Sequence, residues 1–125
     1  MDFVLATAPI RYWWPVIVRI PDPETPGAIL ERKLKILFEA EEQDEAVERQ
    51  ELYASLTSLR DRVEHERRQL LRVCKDWADV VDADKRPVPF TEENFRAALQ
   101  QSWFRTGVFA AYAESLNGQA ASLGN

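Results

Sequence analysis

The chain has 125 residues, 46% hydrophobic and 30% charged, with 16 basic against 21 acidic side chains and a formal net charge of −5. A chain of this size buries roughly two-thirds of the surface its unfolded form exposes, so a single domain over 1–125 can hold a core without staples, metals or cofactors. The acidic balance argues against a general nucleic-acid binder, the single cysteine, Cys74, excludes an intramolecular disulfide framework, and no stretch approaches the ~18 apolar residues of a membrane span.

Five of the seven prolines lie between Pro9 and Pro26, and residues 28–86 contain neither proline nor glycine. The start, Met1-Asp2, lacks the basic segment of a secretory signal, and with the lone cysteine this makes a cytoplasmic protein the expectation. From Trp14 the chain alternates, with Trp14, Val16, Val18 and Ile20 on one face and Trp13, Pro15, Ile17 and Arg19 on the other, a strand pattern in which Pro15 points to a sheet edge. Residues 21–27, Pro-Asp-Pro-Glu-Thr-Pro-Gly, read as a loop. A second alternation then sets Leu30, Leu34, Ile36 and Phe38 against Glu31, Lys33, Lys35 and Glu39. Together these predict a β-hairpin over 13–39, whose apolar face must pack on helices or join a partner's sheet.

The charge is unevenly placed. Residues 39–51 hold 7 acidic groups and 1 basic group, so the whole net charge resides in and around this run. It opens the segment 44–81, where Leu52, Leu56, Leu59, Val63, Glu66, Leu70, Val73 and Trp77 recur at alternating spacings of four and three. That is a heptad seam interrupted only by Glu66, and it predicts one long helix. Such a helix would be about 55 Å long, against a diameter of about 35 Å for a compact domain of this size. It therefore either kinks, with Arg60–Arg68 the expected place, or projects and offers its seam to another chain. Residues 82–89 read as a connecting loop. Thr91 is an N-cap, Phe90 can staple to Phe95, and a C-terminal helix is predicted over 92–116, interrupted near Ser102, with a frayed tail over 117–125. The predicted fold class is α+β, mainly α: a hairpin, a long helix and a C-terminal helical region.

No catalytic constellation emerges. His65 is the only histidine and lies beside Glu64, Glu66 and Arg67 on a charged helical face, and Cys74 adjoins the apolar seam with no partner base. Asp82, Asp84 and Glu93 match three positions of a calcium loop, but Arg86 and Pro87 stand where a ligand and the turn glycine are needed, so the reading is of no metal site and no cofactor. Arg11, Tyr12, Trp13, Trp14 and Arg19 mix aromatic and basic groups as a single-strand platform does, although the acidic segment that follows disfavours that use. On the C-terminal helix, Phe95, Leu99, Phe109, Ala113 and Leu116 form one apolar face, and Phe104, Val108 and Tyr112 form another. One side serves the core and the other a partner or further core. Partner contacts are assigned to Trp103, Phe104, Val108 and Tyr112, and a self-association seam to Leu56, Leu59 and Val63. The acidic run is assigned to capping and solubility, so that neutralising Glu41, Glu42, Asp44 and Glu45 should lower solubility first.

Three stretches together resemble the small tail assembly chaperones of long-tailed bacteriophages and prophages: residues 14–21 with the strand end 38–40, residues 77–82 running through 87–94, and residues 103–112 with Gly118 beyond them. The resemblance covers most of the chain from Trp13 to Gly118. It implies a non-enzymatic protein of the bacterial host cytoplasm that coats the apolar helical tape measure protein until tail tube subunits polymerise around it, and that is absent from the mature virion. Some members are also made as a longer, frameshifted product that recruits tube subunits. Self-association into an oligomer fits such a role, and neither nucleic acid nor membrane is implied. The rival readings are a structural tail or head–tail component retained in the virion, and a small nucleic-acid-binding regulator.

Overall fold

The structure, a computed structural model, describes residues 1–118 and 120–124. Its base is an antiparallel sheet of β1 (Arg11–Pro21), β2 (Ile29–Glu39) and β3 (Cys74–Ala78), in that spatial order. The first two strands form the predicted hairpin, in register from Arg11 opposite Glu39 to Pro21 opposite Ile29. Its loop is set by chemistry visible in the sequence. Thr25-Pro26-Gly27-Ala28 closes with an Ala28 N–H to Thr25 O bond of 3.1 Å, proline fixing the second position and Gly27 supplying φ of 81° at the third, as a type II turn requires. The Asp22 N–H donates to Ala28 O at 2.9 Å. In an antiparallel ladder that bond puts the even residues of β1 in the pairs bonded to β2 and turns Pro15 and Pro21, which have no N–H, toward the open edge.

The expected long helix over 44–81 is absent. The segment instead folds as α1 (Gln43–Ser55), α2 (Leu59–Val73) and then β3. The break falls at 56–58, earlier than the 60–68 region. Leu56 and Ser58 are both extended, with ψ of 131° and 132°, and the Ser58 hydroxyl caps α2 by accepting from the Asp61 N–H at 3.3 Å. β3 pairs with β2, Ile36 facing Trp77 and Lys35 facing Ala78, with a bulge between Leu37 and Phe38. The backbone leaves the strand through Asp79 at φ of 67°. A three-stranded sheet thus underlies the helices, so the chain is α+β and not mainly α.

The loop after β3 turns on Asp82, whose Oδ1 accepts from the amides of Asp84 and Arg86 at 2.8 and 3.0 Å. Helix α3 (Glu92–Leu99) begins with the predicted cap, the Thr91 hydroxyl accepting from the Asn94 N–H at 3.0 Å, and Phe90 packs on Phe95 with ring centroids 5.2 Å apart. The chain breaks at Gln100 and Gln101 and resumes as α4 (Ser102–Ser115), close to the predicted interruption at Ser102. Helices α2, α3 and α4 cover one face of the sheet. The core joins Val16 and Val18 of β1, Leu34, Ile36 and Phe38 of β2, Trp77 of β3, Leu70 and Val73 of α2, Phe95 and Leu99 of α3, and Phe104, Val108 and Tyr112 of α4. Around Trp77 the rings of Phe90, Phe95 and Phe104 lie 5.3, 6.0 and 6.4 Å away, in tilted or edge-to-face arrangements that aromatic quadrupoles favour. Of the tail predicted to fray over 117–125, Gln119 and Asn125 lie outside the described residues. Ser122 is held, its Oγ donating to Glu114 at 2.6 Å and its amide at 3.0 Å.

Candidate functional surface

The short linker between β2 and α1 carries a heavily bonded carboxylate, Glu41. Glu41 has a side chain only 6% exposed. It accepts from Arg49 Nε at 3.1 Å on both oxygens, from Arg72 Nη2 at 3.1 Å and from Gln69 Nε2 at 3.4 Å, and its own amide donates to the Tyr112 hydroxyl at 3.1 Å. Burial raises the pKa of that phenol, so Tyr112 stays a neutral acceptor for this amide. Glu41 therefore ties the linker to α1, α2 and α4. Its neighbours Glu42, Asp44, Glu45 and Glu48 are exposed. The acids of 41–48 therefore divide into one structural carboxylate and a solvated set, while Glu39 is paired on the sheet with Arg11 and Lys75.

Helices α1 and α2 lie antiparallel. Arg49 O meets His65 Nε2 at 3.0 Å, the Tyr53 and His65 rings are 5.9 Å apart, and the Arg62 guanidinium stands 5.4 Å from the centre of the Tyr53 ring, a cation–π distance. Arg62 Nε also donates to Leu56 O at 2.8 Å across the turn. His65 is therefore a hydrogen-bonded interhelical residue. No side chain of α1 is buried. Of the predicted self-association residues, Leu59 is 77% exposed, and Leu56 and Val63 are half-buried near the hairpin turn, with Leu52, 54% exposed, close by. Leu59 and Val63 share an open face of α2 with Arg60, Glu64 and Arg67. Further along the same helix, Glu64 receives the Arg96 guanidinium from α3 through bonds of 3.1 and 3.3 Å, which hold its carboxyl below the ordinary carboxylate range.

The predicted partner face on α4 is corrected by the structure. Phe104, Val108 and Tyr112 are all buried in the core, and only Trp103, 45% exposed, reaches the surface. The inward side of α4 is decided by Gly107. A Cβ there would stand 2.6 Å from Ile17 O, so α4 approaches β1 closely along the side that carries Gly107, Val108 and Ala111. Of the three residues of this helix expected to serve the core, Ala113 and Leu116 are exposed, while Phe109 is half-buried and packs against the core. At its far end α4 is fastened to β1 by Tyr12 OH with Ser115 Oγ at 2.8 Å and by Trp14 Nε1 donating to Glu114 at 3.0 Å.

The aromatic and basic residues of the hairpin are split between its two faces. Tyr12 and Trp14 turn inward, while Arg11, Trp13 and Arg19 are exposed on the opposite face, where Arg11 and Arg19 face Glu39 and Glu31 at 3.0 and 3.6 Å. In the 82–86 loop, Arg86 occupies the carboxylates of Asp82 and Asp84 at 3.2 and 3.1 Å. Among the described residues no group of three or more His, Cys, Asp or Glu is placed to hold a metal ion, and no helix is long and apolar enough to cross a membrane. Cys74 is buried, and desolvation pushes its thiol pKa well above the ordinary range, the opposite of what activates a nucleophile. These features define an α+β domain that presents exposed apolar residues on a charged helical hairpin. No protein family, curated protein or solved structure matches the chain.

Proposed function

We propose that this chain is a non-enzymatic assembly chaperone of a long-tailed bacteriophage or prophage. In this reading it coats the tape measure protein in the bacterial host cytoplasm, yields it to tail tube subunits, and stays out of the finished virion. The observation that carries the reading is apolar surface on helices: α1 buries none of its side chains, and Val47, Leu52, Leu59 and Trp103 stand exposed. Side chains of this kind take the apolar stripe of a client helix. Many weak contacts along a long client add up by avidity while each stays displaceable. The three stretches that carry the resemblance supply Val16 and Val18, Trp77 and Phe95, and Phe104 and Val108 to one core. The likeness thus rests on the scaffold, and the exposed helical residues carry the binding.

The test is co-expression with the tape measure protein. That client is expected to be soluble with the wild-type chain and insoluble with a Leu52→Glu, Trp103→Glu variant whose circular dichroism is unchanged. A client that stays insoluble beside the wild-type chain, or this chain found by mass spectrometry in purified virions, overturns the proposal.

A further inference from the structure

We infer that two copies of this chain exchange their N-terminal arms, residues 1–10 of each lying on the outer face of the other's sheet. The inference stands apart from the chaperone reading and does not depend on it. It leaves Leu52, Leu59 and Trp103 open, since these belong to the helices and the outer face is the side of the sheet that the helices do not cover.

The first observation is the arm itself. Residues 1–10 precede β1, belong to no helix or strand, and are all exposed. Five of them are large and apolar: Met1, Phe3 at 90%, Val4, Leu5 at 83% and Ile10. None of the hydrogen bonds and ion pairs among the described residues involves the arm. Single exposed apolar side chains are ordinary, but a contiguous run such as Phe3-Val4-Leu5 left in water marks a segment that binds.

The second observation is an uncovered strip that suits it. On the outer face Trp13 stands opposite Leu37, Pro15 opposite Lys35 and Ile17 opposite Lys33. Trp13 is 48% exposed. A Cβ on Gly124 would lie 3.2 Å from both Ile17 Cδ1 and Lys33 Cε, so the chain's own C-terminal tail closes the strip at that end and leaves Trp13, Leu37 and Pro15 for another segment. Charge agrees: Asp2 is the arm's one charged side chain, and Lys33, exposed beside the strip, pairs with no described carboxylate.

Geometry selects a second copy over the chain's own face. A segment packed on a sheet lies about 10 Å above it, whereas a tight turn sets its two limbs only about 5 Å apart. Trp13 follows Ile10 by three residues, so the near end of the arm cannot turn back to cover it. Fully extended, ten residues span at most ~36 Å, about the length of an eleven-residue strand, so the arm reaches along the strip of a neighbour. An extended segment of ten residues exposes roughly 1,600 Å². Laying one side of it on a face buries about 800 Å², what each partner gives up in a standard stable interface.

The test uses the whole chain, measured by size-exclusion chromatography with light scattering from micromolar to millimolar. A dimer is expected. Phe3→Glu, Leu5→Glu should weaken it by about 100-fold with unchanged circular dichroism, because the arm contributes nothing to the core. Trp13→Glu should do the same from the other side of the contact. Cys74 is buried, so an oxidised Val4→Cys, Lys35→Cys chain reports the exchange directly, as two-chain mass on a denaturing, non-reducing gel. A wild-type chain that stays monomeric at millimolar concentration, a dimer that the arm substitutions leave intact, or an oxidised form at single-chain mass overturns the inference.

Discussion

Gly107→Ala puts the packing of α4 on β1 to a direct test. In the interior of an exposed helix this substitution stabilises by about 1 kcal/mol, because alanine loses less backbone freedom than glycine. Here the new methyl would lie 2.6 Å from Ile17 O and 3.3 Å from Val18 Cγ2. The carbonyl belongs to a strand held in register along its whole length by β2, so the helix must yield rather than the strand. Overpacking of this kind costs about 1–3 kcal/mol. Lifting α4 also stretches the Tyr12–Ser115 and Trp14–Glu114 bonds, each contributing about 1 kcal/mol. Set against the helical gain, the net loss should be about 2 kcal/mol, read as a melting temperature lower by about 6–10 °C. Ala110→Gly, at an exposed position of the same helix, calibrates the propensity effect and should cost about 1 kcal/mol. Chemical denaturation followed by circular dichroism measures both. If Gly107→Ala matches or exceeds the wild type in stability, the close approach of α4 to β1 is wrong.

Glu41→Gln should destabilise by about 1.5–3 kcal/mol, the range for hydrogen bonds to a charged group, whereas Glu42→Gln should stay within about 0.5 kcal/mol; paired urea melts distinguish them. Glu114 is held below the ordinary carboxylate range, first by the Ser122 hydroxyl, then by the Ser122 amide and the Trp14 indole. Its folded pKa is depressed, so its contribution is present above the unfolded value and lost as pH falls through the folded one. Acid titration of Glu114→Gln should accordingly show a shallower loss of stability below the ordinary carboxylate range than wild type, and equal slopes would contradict the assignment. Cys74 should stay unreactive toward a thiol reagent in the native state and react fully in denaturant, with rapid native labelling refuting its burial.

The hairpin was legible because strict alternation fixes which face is buried, and because Pro15 marks an edge strand. The start of α3 was legible because Thr91 and the Phe90–Phe95 pair act within one turn. β3 was not. Leu70, Val73 and Trp77 are spaced three and four apart, so a helix and a helix followed by a strand both bury all three, and only pairing with β2, a contact distant in sequence, selects the strand. The buried side of α4 was misassigned for a similar reason. Both sides are apolar, and the deciding feature is the absence of a side chain at Gly107, a quantity that hydrophobic patterning does not weigh.

The acidic run shows where charge patterning stops being informative. All seven carboxylates of 39–51 look alike in sequence, and their common explanation is solubility and helix capping. Yet α1 has no side-chain N-cap and buries no residue, so its attachment falls to polar contacts. Glu41 supplies several of these from just outside the helix, bonding Arg49 of α1 and Arg72 of α2 at once. Removing the whole run's charge thus combines two effects of different kind, loss of solubility from the exposed acids and loosening of α1 from Glu41. A four-site neutralisation that includes Glu41 should therefore unfold more easily as well as aggregate. Restoring Glu41 alone should recover the melting temperature without recovering solubility. If restoring Glu42 alone does as much for stability, Glu41 is not the attachment of α1.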